Sequence, residues 1–245
     1  MLFLAHTQWI RLPGGSSFAL SNTTGMQTKQ TIAIIGASGN MGSAISKSLS
    51  KGNYRLLLCA KDLTKAQALS DNIKAANPIA DIEPVACNYN ASWEADIIIL
   101  ALPYSAEKEV SEKIKEVANQ KIVISIANPV NENFDGMVTE PTTSAAEELQ
   151  KLLPNSKVVK AFNTTFSADF SNPVIDGKKV DAFIAGDDDE AVEIVAGLVS
   201  TVGFNPIVAG DLSVSRILEN MQLLLIRLGI KYNYNWLAGW KILHN

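Results

Sequence analysis

Hydrophobic positions in this chain gather into short, nearly continuous runs instead of alternating strictly with polar ones. Thr31-Ile32-Ala33-Ile34-Ile35, Tyr54 to Cys59, a weaker Ile82 to Cys87, Asp96 to Leu102, Lys121 to Ala127 and Lys157 to Phe162 are such runs. Unbroken apolar runs mark parallel strands covered on both faces. Between them lie stretches with helical composition: the segment after Gly42 to Lys51, Asp62 to Ala76 with Asn77-Pro78 as its stop, Ala106 to Asn119, and Thr143 to Leu153. Six strands alternating with helices through short right-handed crossovers predict an α/β fold, a Rossmann-type doubly wound and mainly parallel sheet. Beyond Asn163 the rhythm changes. A loop from Phe166 to Lys179 precedes a strand Val180 to Ala185, a helix from Asp188 to about Val202, a strand Asn205 to Val208 and a last helix from Leu212, which together read as a small C-terminal α/β extension.

The turn between the first strand and the first helix is Gly36-Ala37-Ser38-Gly39-Asn40-Met41-Gly42. Glycines at this junction let the backbone turn sharply and approach a pyrophosphate, and the free N–H groups at the helix start hold its charge. The spacing Gly-x-x-Gly-x-x-Gly, flanked by strand and helix, predicts a dinucleotide site. An acidic residue closing the second strand would accept bonds from the ribose hydroxyls and repel a 2′-phosphate. The sequence there is Cys59-Ala60-Lys61, and a lysine favours NADP over NAD. Asp62 falls one position late and reads as a helix cap. Residues 1–28 are rich in turn formers without a period and read as a flexible extension, 29–165 as the NADP-binding domain, and 166–245 as a C-terminal substrate and dimerisation region.

Composition narrows the function class. The 245 residues are 47% hydrophobic and 19% charged with net charge −4, so there is no basic footprint for nucleic acid. No apolar run approaches the length of a membrane span, and no basic residue precedes the apolar start Leu2-Phe3-Leu4-Ala5, against the order of a secretory signal. A soluble, cytoplasmic protein with a small-molecule substrate is expected. Cys59 and Cys87 lie far apart with no Cys-x-x-Cys or histidine companion and read as two buried thiols. The acids Asp187-Asp188-Asp189-Glu190 sit at a predicted helix start, where carboxylates complement the dipole, so no metal is assigned. In the last helix Ile217, Leu218, Met221, Leu224, Leu225 and Leu228 are joined by Leu223 and Ile226 on the flanks. A face that wide predicts a homodimer helped by Tyr232, Tyr234, Trp236 and Trp240; closure of the monomer core by the same helix is the competing reading.

Tyr104-Ser105-Ala106-Glu107-Lys108 matches the Tyr-x-x-x-Lys of short-chain dehydrogenases, but it directly follows the fourth strand, whereas those enzymes carry the pair later. Pro103-Tyr104 is read instead as a lid on the cofactor. His6 and His244 stand at the chain ends, so no catalytic acid or base is assigned. Hydride transfer between two ring systems needs little proton transfer from the protein.

The glycine turn, Leu102-Pro103-Tyr104, Ser144 to Leu149, Lys160-Ala161-Phe162-Asn163, Gly186 to Asp189 and the Asp211 to Asn220 block occur in that order. Together they resemble the NADPH-dependent reductases of the 8-hydroxy-5-deazaflavin coenzyme F420, and the cytosolic reductase domain of STEAP metalloreductases is similar. The resemblance spans roughly Lys29 to Gly229. It implies a hydride exchange between NADPH and a deazaflavin or flavin. Gly36, Ser38, Gly39, Asn40, Met41 and Gly42 are implied phosphate-turn contacts, and Lys61 the 2′-phosphate ligand, with Ala60 where that family has a hydroxyl. Leu102 and Pro103 are implied walls of the adenosine and ribose. Asn128-Pro129 and Asn163-Thr164-Thr165 end strands five and six near the nicotinamide. The deazaflavin enzyme has histidine at the position of Asn163, whereas asparagine resembles the metalloreductase domains, which brings in a flavin as the second acceptor. An extended short-chain carbonyl reductase using Tyr104, and a non-catalytic NADP sensor, are the competing functions.

Overall fold

A computed structural model describes residues 29–244; the N-terminal extension read from the sequence lies outside the described residues. The first half runs β1 (Gln30–Ile35), α1 (Asn40–Leu49), β2 (Tyr54–Cys59), α2 (Leu63–Ala76), β3 (Asp81–Val85), α3 (Asn88–Glu94), β4 (Ile97–Leu100) and α4 (Tyr104–Ile114). It continues through β5 (Ile122–Ser125), α5 (Ala145–Leu152), β6 (Lys157–Lys160), the hairpin β7 (Val174–Ile175) and β8 (Lys178–Lys179), β9 (Asp181–Gly186), α6 (Asp189–Thr201), β10 (Asn205–Gly210) and α7 (Ser215–Tyr232). One eight-stranded sheet has the order β10-β9-β6-β5-β4-β1-β2-β3. Strands β1 to β6 are mutually parallel, while β9 runs antiparallel to β6 and carries β10 parallel to itself. The doubly wound, mainly parallel sheet expected from the apolar runs is present, and the C-terminal extension is added to its β6 edge.

Burial explains the runs. All four residues of β4, Ile97 to Leu100, are fully buried, two packing into the cluster on one face of the sheet and two into the cluster on the other. Each such side chain contributes ~2 kcal/mol of hydrophobic stabilisation. Polar groups set the ends of the elements. Asp62 accepts from Thr64 N at the start of α2, Ser144 from Glu147 N at the start of α5, and Asp188 from Ala191 N at the start of α6. The capping expected of Asp62 and of the acidic cluster is therefore what these residues do. The chain end returns to the sheet: buried Asp181 accepts from Asn205 Nδ2 at 2.7 Å, Lys241 Nζ at 2.7 Å and Ile242 N at 2.6 Å.

Two expectations change. The third strand stops at Val85, and Cys87 is exposed, not buried. The chain leaves the sheet at Ala86 to enter α3, and Cys87 is the N-cap of that helix, outside the covered layer. The segment from Phe166 to Lys179 is also more ordered than a loop, since it contains a 3-10 turn at Ser167–Phe170 and the small hairpin.

Candidate dinucleotide site

The connections after β1, β2, β4, β5 and β6 all emerge at the carboxyl ends of the parallel strands. Strand β1 lies between β2 and β4, so the chain winds outward in both directions from the β1/β4 pair, and a crevice opens at this switch point. The turn is built across it. Gly36 N and Ala37 N donate to Cys59 O at 2.9 and 2.8 Å, Gly39 N donates to Gly36 O at 3.0 Å, and Ala101 N donates to Ile35 O at 2.8 Å.

The three glycines have different reasons to be glycine. Gly36 has φ +88°, and a Cβ there would meet Ala101 O at 2.2 Å; at Gly42 it would meet Gly36 O at 2.2 Å. Backbone packing alone requires both. At Gly39, with φ −73° and ψ 169°, a Cβ would touch only Gly36 O at 3.4 Å, an ordinary contact. Neither conformation nor packing demands glycine there, and the absent side chain leaves the space over the helix start open. Ser38, Gly39 and Asn40 are exposed, Met41 packs its side chain against the core, and Gly42 is buried. Helix α1 has neither a side-chain cap nor an acid in its first turn. The first-turn N–H groups of Asn40, Met41 and Gly42 thus lack intrahelical partners, with the positive end of the dipole behind them. This cradle fits a pyrophosphate.

Past the ends of β2 and β3 is a surface crevice of about 500 Å³, lined by Ala60, Lys61, Cys87, Tyr89 and Lys113 among others. Lys61 lines this crevice just past the end of β2. Lys113, on α4, adds a second ammonium that the sequence reading missed, because only the fold brings it beside Lys61; it also pairs with Glu109 at 2.5 Å. Two ammonium groups at one crevice favour an anion there. Leu102 is half-buried and packs on the core face below, while Pro103 is exposed as the N-cap of α4.

At the far end, Asn128 and Asn163 are joined by two hydrogen bonds: Asn128 Nδ2 donates to Asn163 O at 2.9 Å, and Asn163 Nδ2 donates to Asn128 Oδ1 at 3.0 Å. Asn163 is buried, and its Oδ1 has no partner within the protein. A buried acceptor left open costs ~1–3 kcal/mol, so this amide oxygen would gain a bond from any donor that reached it. Thr164 is buried and committed elsewhere, its Oγ1 accepting from Phe183 N at 3.4 Å; Thr165 Oγ1 donates to Phe162 O at 2.9 Å.

Tyr104 does not have the environment of a short-chain dehydrogenase tyrosine. Its hydroxyl donates to Glu148 on α5, and burial first, then that carboxylate, pushes its pKa up to about 12. A phenol so held is a poor proton donor at neutral pH.

Beneath the strand ends lies a buried charged cluster that the sequence reading did not find. Lys160 Nζ pairs with Glu219 Oε1 of α7 at 2.6 Å and donates to Ala127 O at 2.6 Å and Ser125 Oγ at 3.4 Å. Ser125 Oγ in turn reaches Glu107 Oε1 at 3.5 Å, and Ala145 N at the start of α5 donates to Glu219 Oε2 at 3.2 Å. Glu107 is pushed up to about 8 by burial, against the opposing pull of Lys160. It is therefore held protonated at neutral pH, leaving one lysine and one carboxylate as the charged pair.

Comparison with known proteins agrees with this geometry. The family model described as NADP oxidoreductase coenzyme F420-dependent matches residues 31–129, from β1 to the strand-end Asn128-Pro129. An F420-dependent NADP reductase of Methanocaldococcus jannaschii is 33% identical over 82% of this chain and 93% of its own. One from Methanothermobacter marburgensis is 26% identical over 82% and 92%. A crystal structure described as an F420-dependent NADP reductase from Arthrobacter sp. FB24 superposes with a TM-score of 0.74 at 22% identity, covering 88% of this chain and 100% of that one, a likeness of fold.

Proposed function

The chain belongs to the F420-dependent NADP reductase family, and from that premise we propose that it moves a hydride between NADPH and a deazaflavin of the coenzyme F420 type. The observation that carries this reading is Gly39, the one glycine of the turn that the fold itself does not require. The chemistry supplied by the bound rings is the passage of a hydride from one conjugated system to another, without a protein nucleophile. This chain's own residues bind and orient: the turn holds the pyrophosphate, Lys61 and Lys113 the 2′-phosphate, Asn163 Oδ1 the carboxamide. No catalytic residue is needed, and Tyr104 is not one. A flavin is the second acceptor, since nothing in the amide-lined strand ends discriminates against its ring.

An anaerobic assay following NADPH absorbance tests the reading. Coenzyme F420 should be reduced rapidly, FMN or FAD more slowly, and aldehydes and ketones not at all. Lys61→Ala should cut the preference for NADPH over NADH about tenfold, equivalent to ~1.4 kcal/mol for one charge-assisted contact at an exposed site. Turnover of an aldehyde with none of the ring acceptors would overturn the assignment, as would an NADPH preference indifferent to Lys61.

The unpaired thiols Cys59 and Cys87 suit a reducing compartment, and we place the enzyme in the cytoplasm. No helix among the described residues is long and apolar enough to cross a membrane. A homodimer through α7 is supported by Ile217, Leu224 and Ile230, all more than 45% exposed at 62%, 49% and 57%. Leu218, Leu225 and Ile226 on the adjoining faces are buried, so the helix also closes its own subunit, and Trp236 packs edge-on against Phe166. Light scattering at micromolar concentration should give twice the 26.4 kDa chain mass; a monomeric mass ends the idea.

A further inference from the structure

We propose that Lys160 is a positioning residue for this site: through the Ala127 carbonyl it fixes the Asn128–Asn163 amide pair, while Glu219 supplies the counter-charge that keeps the ammonium inside the fold. The proposal rests on the NADPH reading of the preceding section and adds a residue outside the cofactor's own contacts.

A fully buried ion pair is a poor device for stability. Removing each ion from water costs several kcal/mol, and apolar side chains of similar volume do as well or better in its place. The location of this pair is more informative than its strength. Lys160 and Ser125 are the last residues of β6 and β5 and pair in register, so the ammonium lies under the two strand ends that carry the nicotinamide-end amides. The ammonium donates to Ala127 O and Ser125 Oγ and lies 2.6 Å from Glu219 Oε1 as an ion pair. The bond to Ala127 O, at 2.6 Å, holds the peptide immediately before Asn128. Three residues beyond Lys160, Asn163 closes the paired amides from the other strand.

The backbone between Lys160 and Asn163 is under strain at the same point. Phe162 is fully buried with φ +59°, a left-handed conformation that a bulky side chain adopts only where its surroundings enforce it. That turn swings Asn163 across to Asn128 and buries its Oδ1 without a partner. The position of the unpartnered acceptor is thus determined from both sides, by a strained residue just past β6 and by a lysine bond to the peptide just past β5. Glu219 reaches this point from α7, which ties the C-terminal helix to the same geometry, and its other oxygen holds the start of α5.

The test compares three forms of the full chain. In Lys160→Met/Glu219→Met the charges and the bond to Ala127 are both removed while side-chain volume is kept; in Glu219→Gln the acceptor for Lys160 remains and the bond to Ala127 survives. Wild type is first titrated with NADPH, and absence of binding there retires the NADPH reading itself. With binding established, the double variant should melt near the wild-type temperature and bind NADPH within about threefold. The emission of its bound NADPH should shift, and its turnover with coenzyme F420 should fall at least tenfold. Glu219→Gln should melt several degrees lower, because the buried ammonium loses its counter-charge, yet below that melt it should keep both emission and turnover close to wild type, because the bond to Ala127 remains. If the methionine pair gives no folded protein, Lys160→Leu/Glu219→Gln, which also leaves no donor at position 160, replaces it with the same expectations. Wild-type emission and turnover in a folded double variant overturn the role of Lys160, as does equal impairment in Glu219→Gln. If neither double variant folds, the cluster is a folding element and the proposal is withdrawn.

Discussion

Gly39→Val should weaken NADPH binding about a hundredfold while the melting temperature stays within about 2 °C of wild type. The two halves of this result have separate causes. Gly39 has an extended backbone conformation open to any residue, and a Cβ there makes only a 3.4 Å contact with Gly36 O. The folded chain therefore tolerates the substitution. Gly36→Ala and Gly42→Ala offer the contrast, because each would drive a Cβ to 2.2 Å from a carbonyl oxygen and disrupt the turn itself. In Gly39→Val the branched side chain occupies the space over the first-turn N–H groups of α1, where the pyrophosphate must come close. Loss of two charge-assisted hydrogen bonds at ~1.5 kcal/mol each is about a factor of a hundred in Kd. Calorimetric titration of NADPH alongside a thermal melt reads both quantities. A Kd within threefold of wild type would place the pyrophosphate elsewhere; a collapse of the melting temperature would show that Gly39 serves the fold.

Much of this architecture was legible because a parallel strand covered on both faces has no polar position to hide it: Ile97 to Leu100 can hardly be read otherwise. Where the code is less direct the reading failed. The run Val180 to Ala185 looks the same whichever way it points, so the antiparallel pairing of β9 with β6 could not be read from it. Helix α3, Asn-Tyr-Asn-Ala-Ser-Trp-Glu, buries only Ala91 and Ser92 and has little propensity of its own, so tertiary contacts decide it and carry Cys87 outward. The phosphate turn was legible through its glycines, yet the sequence cannot tell Gly39, free for a ligand, from Gly36 and Gly42, which the backbone requires. Lys113 reaches the Lys61 crevice only through the fold.

The buried cluster is the most instructive omission. Charged residues default to the surface, and the sequence reading gave Glu107, Lys160 and Glu219 no buried role. A signal did exist. Lys160 ends a strand whose neighbours Val158, Val159, Ala161 and Phe162 are buried on both faces, which leaves a lysine no route to water. Glu219 falls on the helical face of Ser215, Gln222 and Ile226, all buried. An acid and a base each stranded on an apolar face are most simply reconciled by pairing with each other.

That cluster makes the stability of the protein fall as pH rises from 6 to 8.5, and Glu107→Gln should flatten most of the fall. The sign follows from proton counts. In the unfolded chain Glu107 ionises near its ordinary 4.5, whereas in the folded protein burial holds it protonated up to about 8. Between those values the folded state binds the extra proton, so stability is present at the acid end and lost as pH climbs, levelling off once the folded group ionises. One pH unit corresponds to ~1.4 kcal/mol, so from pH 6 to 8 the loss has a ceiling of about 3 kcal/mol. Buried Asp169, pushed up to about 7 chiefly by desolvation, adds a smaller loss of the same sign that ends near that pH, and it survives in the variant. The carboxylates held low, Glu147 by Arg216 and Asp188 by its bond from Ala191 N, are ionised in both states above pH 6 and contribute no slope there. Cys59 and Tyr104, both raised to about 12, act only at higher pH. Facing Glu107 are Lys160, Glu219, Ser125 and Glu148. Its ionisation sets a second carboxylate against the ammonium that holds Ala127 O, so turnover should decline with the same midpoint near 8. Urea melts at half-unit intervals, run on wild type and Glu107→Gln, separate the contributions. An identical slope in both proteins would show that Glu107 is already ionised in the folded state.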